Sequence, residues 1–144
     1  MGSRANRIIV AIDASPISET VMKEAAEVAR SLSSDVYVIS VIPVPSLVMS
    51  ESDVDSEEAR TQGDSYTALH NLLITKHFSD TKLLVESKIL YGDPVKKICE
   101  FAESMNARLI ALGSRSMGHV QAFLLGSTSE GVLRNAKTSV LVVK

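Results

Sequence analysis

The sequence predicts an α/β fold in three layers, α/β/α, with a five-stranded parallel sheet between helices, and three observations carry that reading. Short apolar runs rich in Ile and Val alternate with stretches of helical periodicity along the chain. The run from Asp35 to Ile42 is too continuously apolar for a half-exposed strand, and so reads as one covered on both faces of a parallel sheet. At 144 residues the chain is long enough for one core and too short for a second. A single domain, residues 4–144, is therefore expected, with Met1, Gly2 and Ser3 left out of the fold reading.

Arg7 to Ile12 is the first β-branched run, and it continues into Asp13-Ala14-Ser15-Pro16, where Ser15 suits a helix N-cap and Pro16 the first helical position. Val21, Ala25, Val28 and Leu32 then recur at helical spacing. The second run, Asp35 to Ile42, ends at Pro43 and Pro45. Beyond it, Glu51, Asp53, Asp55 and Glu57 read as an acidic loop, because their Ser and Val spacers lack the glycine and ligand pattern of a calcium loop. Tyr66, Leu69, Leu73 and His77 place a helix over about Ser56 to Phe78, and Leu83 to Tyr91 is the third strand. Gly92-Asp93-Pro94 supplies a turn, an N-cap and a first-turn proline for a helix with Val95, Ile98, Cys99, Ala102 and Met105 inward. Leu109 to Leu112 is the fourth strand, the capping-box pattern Ser127 to Glu130 opens a short last helix, and Val140 to Val143 is the fifth strand. This alternation implies right-handed crossovers and helices on both faces of the sheet.

Composition narrows the function. The content is 45% hydrophobic and 22% charged, as in an ordinary globular protein, while an aromatic share of 4% leaves Val, Ile, Leu and Ala to fill the core and argues against stacking platforms for single-stranded nucleic acid. The net charge is -2 with basic residues dispersed, so no broad footprint for nucleic acid or an anionic membrane is visible, although a small polyanion can still bind locally. Cys99 is the only cysteine, which excludes an intrachain disulfide and a multi-cysteine zinc site, and it reads as a core residue. There is neither a membrane-length apolar run nor a secretory signal, and a cytoplasmic location is expected.

In an open parallel sheet ligands bind beyond the carboxyl ends of the strands where strand order reverses, which points to the loops after strands one and four. These hold Asp13 and Gly113. Glycines after a strand let backbone N–H groups approach phosphate oxygens, and a helix start at Ser127 adds unpaired N–H groups and a positive dipole end. Gly113 and Gly118 have the glycine spacing of a Walker loop, but His119 and Val120 stand where Lys and Ser or Thr are needed. The three-glycine dinucleotide pattern is also missing from the first turn. Arg115 is a candidate phosphate donor or a solvated loop residue. His70, His77 and His119 form no pair with ligand spacing, and no nucleophile elbow or assignable triad is present, so no catalytic residue is named.

Ile9-Val10-Ala11-Ile12-Asp13-Ala14-Ser15, Gly92-Asp93-Pro94 and the segment from Gly113 through Gly126-Ser127 together make the chain resemble the universal stress protein family over essentially its whole length. The resemblance implies a Rossmann-like adenine-nucleotide-binding fold, a homodimer formed through the last strand, and membership in one of two groups: ATP binders or members that bind no nucleotide. The ATP-binding motif is Gly, two residues, Gly, nine residues, then Gly followed by Ser or Thr. Gly113, Gly126 and Ser127 match it, and Ser116 occupies the second glycine position. A non-glycine residue held in a left-handed conformation costs about 1–2 kcal/mol. Against that, Ser116 is small, its hydroxyl can donate to phosphate, and Gly118 keeps the loop supple.

The resemblance thus implies ATP, with Mg or Mn as its companion. Ala11 and Asp13 would meet the adenine and ribose side, and Val41 after strand two would border the base. Leu112, Gly113, Ser114, Arg115 and Ser116, with Gly126, Ser127, Thr128 and Ser129, would surround the phosphates. An interaction module of the same fold that binds no nucleotide is the alternative reading, and slow hydrolysis of a held nucleotide is a third.

Overall fold

Ile and Val are stiff at χ1 and pack well on a pleated surface. The five runs rich in them are strands in a computed structural model that describes residues 6–44, 57–115 and 125–144. They are β1 (Arg7–Ala11), β2 (Asp35–Ile42), β3 (Val85–Tyr91), β4 (Leu109–Gly113) and β5 (Ser139–Val143). Between them lie α1 (Ile17–Leu32), α2 (Glu57–Phe78), α3 (Pro94–Ser104) and α4 (Ser127–Asn135). Every pairing is parallel, in the order β3-β2-β1-β4-β5. The chain first builds outward from β1 to β3 and then returns to add β4 and β5 on the other side. Ala11 and Leu112, in register across the β1–β4 pair, mark the point of reversal.

Strand periodicity divides the core in two. Ile8, Val10, Val36, Val38 and Ala111 pack under α1 and α2, against Val21, Met22, Ala25, Leu73 and Phe78. Ile9, Tyr37, Ile39, Ile110 and Leu112 face the other way, against Ile98 and Ala102 of α3 and Val132 of α4. β2 has no solvated side over most of its length, as its continuous apolar run requires. Cys99 is half-buried and packs against the second core, where burial and then the Glu103 charge push its thiol pKa up.

Local chemistry explains the helix starts, with two corrections. Asp93 caps α3 as expected, its carboxylate accepting from Lys96 N at 2.9 Å, and Gly92 takes φ +137°, where a side chain would be strained. Ser15 does not cap α1: Pro16 holds the cap position without a side-chain bond, because Ser15 is engaged by Asp13. Ser127 is likewise the first helical residue of α4 rather than its cap. Gly126 is the cap, since its carbonyl already accepts from Glu130 N at 2.9 Å.

The fixing of α2 is less usual. Its inner face carries His70, wholly buried, while Leu72 is 65% exposed. The Ser40 hydroxyl donates to the Ile12 carbonyl at 2.7 Å, so it must accept from His70 Nε2, also at 2.7 Å. His70 Nδ1 is then left to accept from the Ser87 hydroxyl at 2.7 Å. A neutral ring with its proton on Nε2 thereby joins α2 to β2 and β3.

Burial pushes the His70 pKa down from 6.5 to about 4. The unfolded chain therefore takes up the proton at higher pH than the folded one, and the stability tied to the neutral ring is complete above pH 6.5 and lost as pH falls toward 4. Urea unfolding of the wild type and of His70→Gln, which cannot titrate, should show the wild type losing about 3 kcal/mol relative to the variant between pH 7.5 and 4. A difference independent of pH would contradict this assignment.

Candidate functional site

Where strand order reverses, the connections leaving neighbouring strands diverge to opposite faces and open a crevice at the carboxyl edge. Such a cleft, about 270 Å³, lies beyond β1 and β4. Its floor and walls are largely apolar: Ala11 and Ile12 from the end of β1, Ile39 and Val41 from β2, Ile98 from α3 and Leu112 from β4. Ile17 and Val21 of α1 and Pro43 and Pro94 complete them. Its polar groups are Asp13, Ser18, Tyr66, Arg115, Thr128 and Ser129.

Asp13 is held by the turn it begins. Its Oδ1 accepts from Ser15 N at 2.8 Å and from the Ser15 hydroxyl, with Ser18 Oγ 3.2 Å away. The Ser18 hydroxyl also lies 2.7 Å from the Asp13 carbonyl. These contacts all fall on Oδ1, so among the described residues Oδ2 carries no hydrogen bond. The carboxylate is thus positioned with one acceptor oxygen in reserve. Tyr66 stands on the α2 side of the same cleft. Its pKa is raised, first by burial and then by the Asp13 charge, with a backbone interaction at Ala14 offsetting part of the effect.

The opposite end is organised by the Ser114 carbonyl. It accepts from Gly126 N at 2.7 Å and from the Ser129 hydroxyl at 2.9 Å, while Ser114 N donates to the Val143 carbonyl at 2.8 Å. The end of β4, the edge strand β5 and the start of α4 are thereby joined at one residue. The first amide bond within α4 comes from Glu130, so the N–H groups of Ser127, Thr128 and Ser129 precede its ladder and are the orphan donors of a helix start. With Arg115 beside them, this end of the cleft favours an anion. Gly113 has a packing role: a Cβ there would come within 2.9 Å of Ile17 Cγ2, so its absence lets α1 close over the end of β4.

Of the residues singled out in the sequence, Ala11, Asp13, Val41, Leu112, Gly113, Arg115, Gly126, Thr128 and Ser129 line the cleft. Val41 does so from within β2 rather than after it. Ser114 and Ser127 are not among the lining residues: Ser114 is buried in the clamp and Ser127 is exposed. Ser129 reaches the cleft, but its hydroxyl is engaged by the Ser114 and Gly126 carbonyls. Ser116 and Gly118 lie outside the described residues, as does the acidic stretch through Asp55. Sequence reasoning passed over Tyr66, whose spacing served only to place its helix. Ile39 and Pro43 were also missed, although two-residue periodicity along β2 puts Ile39 on the face of Val41. The described residues contain no group of three His, Cys, Asp or Glu side chains able to hold a metal.

A sequence model described as the universal stress protein family matches residues 5–144. A universal stress protein of Methanocaldococcus jannaschii is 31% identical over 142 residues, covering 96% of this chain and 81% of that protein. In structure, the universal stress protein UspA from Lactobacillus plantarum superposes with a TM-score of 0.84 at 20% identity, over 99% of this chain and 100% of its own. A universal stress protein from Archaeoglobus fulgidus in complex with dAMP superposes with a TM-score of 0.72 at 24% identity, over 99% of this chain and 100% of its own. At these identities the two structural likenesses establish the fold.

Ser129→Ala removes one of the two donors to the Ser114 carbonyl. Denaturant unfolding should show a loss of about 1 kcal/mol, while Thr128→Ala, one residue earlier and half-exposed, should cost under about 0.5 kcal/mol. Equal effects would show that the hydroxyl does not hold the helix start.

Proposed function

The chain belongs to the universal stress protein family, and from that premise we propose that it is an adenine-nucleotide-binding regulatory protein whose ligand is ATP. The observation that carries the reading is the polarity of one cleft: an oriented carboxylate at one end, apolar walls between, and a helix start with an arginine at the other. Those are respectively an acceptor for sugar hydroxyls, a slot for a flat base and a site for phosphate. The Archaeoglobus relative with dAMP adds support for adenine nucleotides as the ligand class.

Ala11, Asp13 and Val41 bound the base and ribose side; Leu112, Gly113, Arg115, Gly126, Thr128 and the α4 amides bound the phosphates. Ser114 supports them from behind and Ser127 opens the same helix, while Ser116 and Gly118 are assigned to the phosphates by the sequence motif alone. Mg or Mn would enter with the phosphates. The activity is binding, with slow hydrolysis as its only catalytic extension, and a single cytoplasmic domain suffices for it.

A second reading is favoured by the Ser114 clamp, because the Gly126 amide and the Ser129 hydroxyl are engaged within the protein. On that reading the fold serves as an interaction module without nucleotide. Gly126→Asp separates the two. Gly126 has φ -70° and ψ 161°, an extended cap conformation that Asp adopts readily, so the substitution places a carboxylate beside the phosphates without straining the backbone. Calorimetric titration should find ATP binding in the wild type and a loss of about hundredfold or more in the variant, with thermal unfolding checking that the variant, altered at a buried position, is folded. Absence of binding to the wild type at millimolar ATP, with no nucleotide released on denaturing the purified protein, would leave the interaction module.

β5 is an edge strand of Ser, Val and Leu with no charged residue, and it suits pairing with a second chain. Light scattering at micromolar concentration should give the mass of two chains, and Val142→Lys should return it to one.

A further inference from the structure

The nucleotide reading accounts for Asp13 and for the helix start but leaves the Tyr66 hydroxyl proton without a task. Phe would cover the same apolar surface but lacks the oxygen that accepts from the Ala14 backbone, and that bond still leaves the phenolic proton to donate. Tyr66 reaches the cleft from α2, and its oxygen lies close enough to the Asp13–Ala14 turn to interact with both residues. Among the described residues no side-chain hydrogen bond occupies it. Asp13 Oδ2 is in the same position, and the contacts on Oδ1 keep that carboxylate from turning away. The cleft therefore presents, near one another, an oxygen that can only accept and a hydroxyl with a proton to donate.

A vicinal diol presents the complementary arrangement. One hydroxyl donates to the carboxylate, and the neighbouring oxygen accepts from the phenol. Deleting either hydroxyl leaves one of the two protein groups desolvated and unmatched, which is how a hydrogen-bonding site discriminates against an analogue lacking one group. His70, four residues on and so on the same face of α2, is bonded to β2 and β3 and fixes the helix that carries Tyr66. We propose that Tyr66 is a specificity-determining residue, which with Asp13 reads the 2′,3′-diol of a ribonucleotide and so selects ribose over deoxyribose. This inference rests on the adenine-nucleotide reading of the cleft.

The test is calorimetric titration of the wild type and Tyr66→Phe with ATP, 2′-deoxy-ATP and 3′-deoxy-ATP. Thermal unfolding checks that the variant is folded, and Tyr66→Leu removes the ring as well. The wild type should bind ATP about tenfold more tightly than at least one deoxy analogue. In Tyr66→Phe the affinity for ATP should fall by about the same factor while that for the discriminated analogue stays within twofold, erasing the preference. A uniform loss for all three ligands in Tyr66→Leu alone, with Tyr66→Phe unchanged, would make Tyr66 a stacking surface and overturn the proposal. Equal wild-type affinity for the three ligands would overturn it too, leaving the nucleotide reading intact. A wild type that binds none of them would remove both.

Discussion

One backbone oxygen holds the functional edge of this protein together. The Ser114 carbonyl receives two donors, the Gly126 amide and the Ser129 hydroxyl, while the amide of the same residue continues the ladder to β5. A parallel strand that ends at a cleft would otherwise leave its last carbonyl unsatisfied at partial burial, at a cost comparable to a lost hydrogen bond. Here that group fixes where α4 begins. The position of every amide at the anionic end of the cleft follows from that one acceptor. Gly113 contributes from the other side, because only the lack of a Cβ lets Ile17 and α1 close against the strand end.

The side of the cleft facing α2 is governed by polar contacts instead. α2 is a poor amphipathic helix, with Leu72 in solvent and His70 in the core. Apolar burial through Leu73 and Phe78 attaches its carboxyl-terminal half to the first core. Nearer the cleft, the His70–Ser40–Ser87 bonds set its position. Hydrogen bonds in a buried site specify geometry more sharply than apolar contact does, since a displaced partner leaves a group unsatisfied. A neutral, desolvated histidine thus contributes register, whereas leucine at the same place would contribute mainly adhesion.

Much of the architecture was legible because its signals are local. The continuous run of β2, the Gly92-Asp93-Pro94 start of α3 and the alternation of strand and helix each depend on residues adjacent in sequence. The general rule for open sheets then led to Asp13 and Gly113, which line one cleft at the β1–β4 reversal. The misplaced caps have a common cause: capping competes with other partners. Ser15 had the composition of a cap but lay two residues from a carboxylate that takes both its amide and its hydroxyl. Ser127 had the box pattern, yet the Gly126 carbonyl began the helix one residue earlier. Tyr66 was hidden for a different reason. Its role depends on where the amino-terminal half of a weakly amphipathic helix crosses the sheet, which no short window of sequence encodes. Ser114 was noticed as a candidate ligand contact, but its structural part is played by a main-chain atom common to all residues.

The two margins of the sheet are chemically unlike. β3 places Glu86 and Lys88 on its exposed positions, whereas β5 runs from Ser139 to Val143 without a charge. A subunit with two adhesive margins can add neighbours at both and grow into a filament; with one margin guarded, strand addition ends once the other is satisfied. The same asymmetry that suits β5 to self-pairing therefore opposes open-ended polymerisation, and it would keep such a protein dispersed at the high concentrations at which stacked sheets otherwise form.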